Sequence, residues 1–209
     1  MWGEDLLALR RALLDDPRLQ VARVTEESAK RTELVKAHLD RQRLQADSID
    51  EKTYLASLQI KVRIERVATD AKFDRIEELF RRTTQFNATS RLFSVSELQQ
   101  LATSTRASLF SLHVSDRFAD HGLVGAAVLE GNEITGLVVS CRVLGMSIEH
   151  EFVRHVVGAC SAGQVVARIV PTARNIPVRN IYRGNGFVLD DDGVWRWDVP
   201  ARASAEAAG

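Results

Sequence analysis

Alternation of apolar and polar positions along the chain predicts most of a sheet. The stretch "QIKVRIERV", which begins at Gln59, alternates at a period of two, as a strand with one buried face does. Three strand-like runs follow at short intervals, "ASLFSLHVSDR", "GLVGAAVLEG" and "EITGLVVSCRV". The "GN" pair at 131–132 is a tight-turn signal, so the last two runs predict a hairpin. "VVARIVP" and "GVWRWDV" predict two more strands nearer the C-terminus.

Helical spacing of apolar residues predicts helices between these strands. The stretch "DAKFDRIEELFRRTTQF" places four large apolar residues at helical spacing, Phe73, Ile76, Leu79 and Phe80. Ser94 or Ser96 opens a second helix, "VSELQQLAT", as an N-cap. "IEHEFVRHVVGACSAG" predicts a helix that ends near Gly163, and "IPVRNIYRGNG" predicts another. The order β-α-α-β-β-β-α-β-α-β predicts an α/β fold, a mixed sheet with helices on its faces.

The first 58 residues differ in composition from the rest of the chain, with one glycine, one proline and many charged residues. Leucines over 4–16 predict a short amphipathic helix, and "LQVARV" over 19–24 alternates like a strand. Thr25 or Ser28 then caps a long, mostly polar helix. We therefore expect a helical extension over 1–58, a folded domain over 59–199 and a disordered tail over 200–209.

Composition excludes several classes of function. Lys+Arg and Asp+Glu both number 28, so whole-chain charge gives no reason to expect nucleic acid or an anionic membrane as a partner. No apolar run approaches the roughly 20 residues of a membrane span, and the N-terminus does not have the pattern of a secretory signal. The two cysteines form no CxxC, which favours a reducing cytoplasm and predicts no metal site.

The stretch "SCRVLGMSIEHEF" (140–152) leads from a predicted strand into a helix through a glycine turn. Backbone N–H groups at such a turn, together with the helix N-terminus, form a natural seat for a pyrophosphate. Gly145 would allow close backbone approach, and Ser147 would be the N-cap. On this motif alone, an ordinary turn between a strand and a helix is the better interpretation.

A second segment, "NIPVRNIYRGNGF", favours a binding site over an ordinary turn. Together the two segments resemble the acetyl-coenzyme A-binding half of the GNAT acyltransferase superfamily, over roughly residues 59–199. In that superfamily an (Arg/Gln)-x-x-Gly-x-(Gly/Ala) turn follows the fourth strand, and Asn-x-x-Ala-x-x-x-Tyr-x-x-x-Gly-Phe follows the fifth. Ser147 stands in place of the last small residue of the first motif, and Val178 stands where alanine is usual. The matching positions are Arg142, Gly145, Asn175, Tyr182, Gly186 and Phe187.

The GNAT resemblance implies that the fourth and fifth strands part and hold a pantetheine arm between them through amide-to-backbone hydrogen bonds. Tyr182 would then lie near the sulfur and protonate a departing thiolate, although a core tyrosine is an equally good interpretation. The implied contacts with the cofactor are Arg142, Val143, Gly145, Ser147, Thr172 and Asn175.

Four longer phrases narrow the resemblance: "RTTQFNATSRLFS", "VSDRFADHGLVGAAVL", "VSCRVLGMSIEHEF" and "PTARNIPVRNIYRGNGF". In this order they resemble the C-terminal half of the FkbH-like proteins, HAD-superfamily proteins of polyketide pathways. That family takes a glyceryl unit from 1,3-bisphosphoglycerate, dephosphorylates it and loads it as a thioester on an acyl carrier protein, towards units such as methoxymalonyl. The resemblance implies an acyl carrier protein as partner, no tightly bound cofactor, and phosphopantetheine or coenzyme A as the thiol substrate.

One departure from this family is clear. Its phosphatase portion needs Asp-x-Asp at the end of a strand, and the only such spacing here lies within "DDD" at 190–192. We therefore expect no phosphate hydrolysis by the family's mechanism. A separately encoded HAD-type phosphatase becomes a possible partner.

Without the phosphatase portion, the resemblance implies acyl transfer between thiols as the remaining chemistry. Cys141 suits this chemistry as a nucleophile. His121 is the candidate base, oriented by Asp120 or Asp116, although a packed cysteine and a turn histidine are the alternatives. Cys160 is expected to pack in a helix. Three further arginines are candidates for docking an acidic carrier protein, with a solvated face as the alternative: Arg174, Arg179 and Arg183.

Gln85 and Asn87 in "TQFNAT" are candidates for binding substrate hydroxyls, with capping of the preceding helix as the alternative. Three functions remain open from the sequence. The first is glyceryl or other acyl transfer to a carrier-protein thiol, and the second is a non-catalytic module that docks a carrier protein. The third is a coenzyme A-dependent N-acetyltransferase, which is disfavoured because no carboxylate base is obvious.

Overall fold

The chain divides into two compact units, Met1–Asp47 and Ser48–Gly209. The computed structural model describes residues 26–47, 50–68 and 72–198. In the first unit, helix α1 (Glu26–Asp47) confirms the predicted long helix. The helix predicted over 4–16, the strand over 19–24, the Thr25 cap and the disordered tail over 200–209 lie outside the described residues.

A seven-stranded mixed sheet forms the centre of the second unit. Its strands are β1 (Lys61–Arg66), β2 (Ala107–Ser115), β3 (Asp120–Glu130), β4 (Glu133–Val139), β5 (Gln164–Ala167), β6 (Val188–Leu189) and β7 (Trp195–Asp198). They lie in the order β1-β2-β3-β4-β5-β7-β6, and all neighbours are antiparallel except β4 and β5. The predicted hairpin is confirmed, since Glu130 pairs with Glu133 across the 131–132 turn. The mixed α/β fold predicted from the order of the elements is therefore confirmed.

The described residues of this unit form four α-helices, α2 (Glu51–Ser57), α3 (Phe73–Arg82), α4 (Val95–Thr103) and α5 (Ile148–Gly158). Side chains that alternate along the strands feed two separate apolar clusters, one on each face of the sheet. Helices α3 and α4 cover the face that carries Leu109 and Val138, and α5 covers the face that carries Phe110 and Leu137. Ser94 is the cap of α4, because its hydroxyl accepts the N–H of Glu97 at 3.2 Å.

The helix predicted over 176–186 is wrong. Two short 3-10 turns, Ile176–Val178 and Arg183–Asn185, stand there instead. Pro177 lacks a backbone N–H, and Gly186 takes a left-handed φ of 85° that ends the second turn. Helix α5 also ends at Gly158 rather than near Gly163, because the N–H of Cys160 closes a tight turn on the carbonyl of Val157.

Candidate functional site

Strands β4 and β5 part soon after they meet. Only two residue pairs join them, Glu133 with Val166 and Ile134 with Ala167. From there β4 continues to Val139, so its backbone beyond Ile134 no longer faces β5. The parting of the two strands that the sequence predicts is therefore present.

The gap between these strands is filled by the chain itself. The segment Phe86–Ala88 (hereafter the filling segment) runs antiparallel to β4, and Asn87 forms a bridge with Val138. The N–H of Ala88 donates to the carbonyl of Leu137 at 3.0 Å, and the N–H of Val139 donates to the carbonyl of Phe86 at 3.0 Å. These are the backbone groups that an inserted amide arm would use, so the prediction of an open slot is wrong.

The far side of the filling segment is bonded to the chain that follows β5. The N–H of Val170 donates to the carbonyl of Ala88 at 2.8 Å. The side-chain amide of Asn175 donates to the carbonyls of Asn87 and Val170, at 3.1 and 2.9 Å, and its oxygen accepts the N–H of Thr172 at 2.8 Å. Asn175 is fully buried, and both of its amide hydrogens are used in holding the filling segment.

The side chain of Asn87 caps the end of α3. Its amide lies 3.4 Å from the carbonyl of Phe80 and 3.3 Å from that of Thr83, and its oxygen accepts the N–H of Ser90. Capping, the alternative to substrate binding, is therefore what Asn87 does in the structure. Gln85 is exposed beside it, and its predicted role in binding substrate stays a prediction.

The turn that the sequence marks for a pyrophosphate uses most of its own N–H groups. Those that donate within the turn belong to Arg142, Val143, Leu144 and Met146. Val143 is buried in the core, and Gly145 takes the left-handed φ of 83° that the turn requires. Ser147 stands at the N-cap position of α5, but its φ of 59° removes the extended geometry that a capping hydroxyl needs. The prediction of a capping serine is therefore wrong, and Ser147 makes no capping bond within the described chain.

The two cysteines differ in exposure, and of the two interpretations of Cys141 the structure excludes the packed one. Cys141 is exposed at the end of β4, in a 3-10 turn (Cys141–Val143) whose first N–H groups are held by Ser140. Cys160 is buried, and its thiol points at the carbonyl of Gly131 at 3.9 Å. Packing is therefore the role of Cys160, whereas the thiol of Cys141 is available to reagents in solution.

His121 and Asp116 form a sealed pair. The Nε2 atom of His121 lies 3.0 Å from Oδ2 of Asp116, and both side chains are fully buried. Burial would raise the pKa of Asp116, but hydrogen bonds from His121 and from the N–H groups of Phe118 and Ala119 outweigh it and lower that pKa. In the described part of the chain no hydrogen bond joins His121 to Cys141, so the structure does not assemble the predicted base and nucleophile.

Tyr182 lies in the apolar core. It is fully buried, with its ring 5.1 Å from that of Phe187 and 6.4 Å from that of Trp195, measured between ring centres. Burial, and then the charge of Glu133, raise the pKa of the Tyr182 hydroxyl, which has no hydrogen-bond partner among the described residues. This is the geometry of a core tyrosine, and its predicted role as proton donor would require the surrounding rings to open.

The arginines predicted to dock a carrier lie on a stretch without opposing charge. Between Glu151 and Asp190 the sequence holds no acidic residue. The guanidinium of Arg179 donates to the carbonyl of Thr172 at 2.8 Å, and that of Arg183 lies 5.8 Å from the centre of the Trp195 ring. Arg174 is exposed, so this segment is basic, although Glu149 of α5 lines one pocket together with Arg183. Its use as a docking surface stays a prediction.

A pocket of about 270 Å³, which no pattern in the sequence predicts, lies between the start of α5 and the segment 177–184. Glu149 and His150 line it, and Phe86 of the filling segment forms an apolar wall. One carboxylate oxygen of Glu149 is buried without a hydrogen-bond partner among the described residues. A first-turn glutamate is ordinarily explained by the helix dipole, so the sequence carried no signal for this pocket.

Neither a membrane span nor a metal cluster stands out in the described ranges. None of the helices there has both the length and the apolar character needed to cross a bilayer. The same residues hold no group of three or more His, Cys, Asp and Glu side chains arranged to bind a metal ion.

Comparison with known proteins finds likeness of fold only. No family model and no curated protein sequence matches this chain. A protein from Desulfovibrio desulfuricans assigned to the GNAT family of acetyltransferases is 15% identical over 66% of this chain and 99% of its own, with a TM-score of 0.45. One from Acinetobacter baylyi assigned as an acetyltransferase is 10% identical over 68% and 94%, with a TM-score of 0.49. An acetyltransferase from Thermus thermophilus is 16% identical over 68% and 99%, with a TM-score of 0.41. Scores below 0.5 support no conclusion about activity.

Proposed function

We propose that this protein transfers an acyl group between thiols and that Cys141 receives the group covalently. The observation that carries the proposal is the position of Cys141. Its thiol is exposed at the end of β4, where β4 and β5 have parted, and the other cysteine of the chain is buried. An exposed thiol at the edge of a rigid sheet is held in place while a donor thioester approaches it.

The reaction balances without a cofactor. The thiolate of Cys141 attacks the carbonyl carbon of the donor thioester, a new C–S bond forms to Cys141, and the donor leaves as a thiolate. A second thiolate then attacks the acyl-Cys141 thioester and releases Cys141. Thiols are nucleophilic enough near neutral pH to need no dedicated base, which fits the sealed position of His121.

Glyceryl as the acyl group and a carrier protein as the acceptor rest on the FkbH-like resemblance. The acidic helices usual in carrier proteins would complement the basic surface of Arg174, Arg179 and Arg183. The phosphopantetheine thiol of the carrier would be the second nucleophile. A separate HAD-type phosphatase would supply the dephosphorylation step.

The test is an intact-mass measurement on chain incubated with glyceryl-loaded carrier protein. We expect a mass increase of one glyceryl group that disappears in Cys141→Ala and persists in Cys160→Ala, the matched cysteine control. Transfer to a second, unloaded carrier protein should be lost in the same variant. Full transfer by Cys141→Ala would remove the covalent role.

A non-catalytic module that docks a carrier protein is the second candidate, and one observation favours it. The filling segment occupies the edge of β4, and Tyr182 is sealed in the core, so the groups that the GNAT resemblance assigns to catalysis are out of reach. Binding of carrier protein without any adduct or transfer would support this candidate. The filled gap equally disfavours a coenzyme A-dependent N-acetyltransferase, because that arm has no open strand edge to lie along.

A further inference from the structure

The pairing between the filling segment and β4 brings Gln85 and Cys141 to the same end of the two strands. Its last bond joins the N–H of Val139 to the carbonyl of Phe86 at 3.0 Å. The two strands run antiparallel there, so the residue before Phe86 and the residues after Val139 leave the pairing at one end. Gln85 comes one residue before Phe86, and Cys141 comes two residues after Val139.

The backbone N–H of Cys141 is directed towards the filling segment. Successive N–H groups of a strand point to opposite edges. The N–H of Ser140 donates to the carbonyl of Val124 on β3 at 2.7 Å, and Ser140 keeps an extended backbone with a φ of −61° and a ψ of 139°. The N–H of Cys141 therefore points away from β3, as that of Val139 does, and it makes no hydrogen bond within the described ranges.

Gln85 supplies a second donor at this place. Phe86 beside it is only 3% exposed, so the backbone that carries Gln85 is anchored in the core while its own side chain is exposed. A glutamine amide has two N–H donors, and in the part of the chain that the structure describes neither is used. The amide of Asn87 is not available in the same way, because it caps α3.

Acyl transfer to a thiol passes through a negatively charged oxygen. When Sγ of Cys141 attacks the carbonyl carbon of a thioester, a C–S bond forms and the π electrons of the carbonyl move to its oxygen. The intermediate collapses when these electrons form the carbonyl again and the donor leaves as a thiolate. Fixed N–H donors at this oxygen lower the barrier, and a backbone N–H combined with a glutamine or asparagine side chain is one such pair.

We propose that the side-chain amide of Gln85, together with the N–H of Cys141, binds the oxyanion during acyl transfer at Cys141. This inference rests on the proposed acyl transfer and assigns a catalytic residue to it. Gln85 then acts on the transition state instead of on hydroxyl groups of the bound acyl chain. It serves acylation and deacylation of Cys141 alike, because both steps pass through the same kind of oxyanion.

Acylation of the full chain by two small thioesters tests this role. The probes are the glyceryl and the propionyl thioesters of pantetheine, and intact mass follows the adduct on Cys141. We expect Gln85→Ala to slow acylation by saturating thioester about a hundredfold with both probes, because one oxyanion donor is lost. Propionyl carries no hydroxyl group. A variant that slows only the glyceryl probe, or that changes KM alone, would show hydroxyl binding and would overturn the proposal.

Glu and Ala at position 85 and a second glutamine sharpen the comparison. Gln85→Glu keeps the length of the side chain but loses both donors and adds a negative charge, so we expect at least the same loss of about a hundredfold. Gln100→Ala, which changes an exposed glutamine on α4, is the matched control and should stay within about twofold of the natural chain. Acylation by Gln85→Glu at the natural rate would contradict the assignment.

Alkylation of Cys141 by iodoacetamide separates the oxyanion from the thiol. In this reaction Sγ displaces iodide from a saturated carbon, so no oxyanion forms. We expect the alkylation rate of Gln85→Ala to stay within about twofold of that of the natural chain. If alkylation slows as much as acylation, Gln85 acts on the thiol or on the fold, and the proposal is overturned.

The same measurements distinguish this inference from the proposed function. A natural chain that acquires no acyl group on Cys141 from either thioester would end both proposals. Acylation of the natural chain, with an undiminished rate in Gln85→Ala, would overturn the role of Gln85 alone and leave the covalent role of Cys141 in place.

Discussion

Asp116 and Glu149 are carboxylates placed beside histidines in the same unit, yet their surroundings differ. Asp116 accepts hydrogen bonds from His121 and from two backbone N–H groups, and its side chain is sealed. Glu149 keeps one buried oxygen without a partner in the described part of the chain, and it borders a cavity. The comparison shows that a histidine beside a carboxylate does not by itself indicate a functional site. In the enclosed pair the carboxylate is satisfied, although Nδ1 of His121 has no partner among the described residues, whereas at Glu149 the carboxylate itself lacks a partner.

Removing the carboxylate of the sealed pair should have the largest effect on the fold. Asp116→Ala leaves His121 and two backbone N–H groups buried without their acceptor, so we expect it to lower the free energy of unfolding by about 3 kcal/mol. Urea denaturation followed by tryptophan fluorescence measures this. Asp120→Ala is the control, because the side chain of Asp120 is exposed and accepts the N–H of Gly122, and this change should cost less than about 1 kcal/mol. A loss no larger than that of the control would mean that the pair does not hold the fold.

The same pair predicts the direction of a pH dependence. The pKa of Asp116 is lower in the folded chain than in the unfolded chain, so its ionisation stabilises the fold at pH values above the ordinary aspartate pKa of about 3.9. That stabilisation is lost as the pH falls through the lowered value. We therefore expect the stability difference between the natural chain and Asp116→Asn to be largest near neutral pH and to shrink in acid. A difference that stays constant down to about pH 3 would contradict the lowered pKa.

A change in the wall of the pocket should displace its histidine. Gly184→Ala brings a methyl group against the ring of His150, which must turn away from Asn185, so we expect the free energy of unfolding to fall by about 1 kcal/mol. Urea denaturation measures this loss, and the NMR signals of the His150 ring should shift in the same variant. Gly158→Ala, at the end of α5 where an added Cβ meets no neighbour within 4 Å, is the matched control and should leave the His150 signals unchanged. Unchanged His150 signals in Gly184→Ala would contradict the close contact between these two residues.

The smallest expected effect concerns a third buried polar atom, the hydroxyl of Tyr182. It lacks a partner among the described residues, as Glu149 does, but aromatic rings enclose it instead of a cavity wall. Tyr182→Phe removes an unsatisfied group, so we expect a gain of up to about 1 kcal/mol in the free energy of unfolding. The rate of Cys141 acylation, followed by intact mass, should not change. A slower release of the donor thiol in this variant would restore the proton-donor role that the GNAT resemblance implies.

Patterns over a few neighbouring residues were sufficient to predict several strands, a hairpin turn and the start of a helix. Period-two alternation predicted β1, strand-like runs predicted β2 to β4, the 131–132 turn predicted the hairpin of β3 and β4, and Ser94 was one of two residues predicted to open α4. Each of these signals lies within a few residues of the feature it predicts. The packing of Cys160 was predicted, although this residue lies just beyond the end of α5 and not within the helix, whereas the sequence left open whether Cys141 is exposed or packed.

The features that failed depend on contacts between distant parts of the chain. The sequence of the filling segment is typical of a polar loop after a helix. It pairs with β4 because β5 has parted from that strand and left its edge unpaired. The side chain of Asn175 reads as a ligand contact, but it is used to hold that segment 88 residues away along the chain. The missing partner of Glu149 is likewise a property of the packed surroundings, which no spacing in the sequence encodes.

Phe86 forms an apolar wall of the pocket, and its backbone belongs to the filling segment that pairs with β4. Here the boundary is anchored to the sheet through main-chain bonds, so it cannot retreat unless those bonds break. A ligand that enters the pocket therefore meets one wall whose position is set by the sheet.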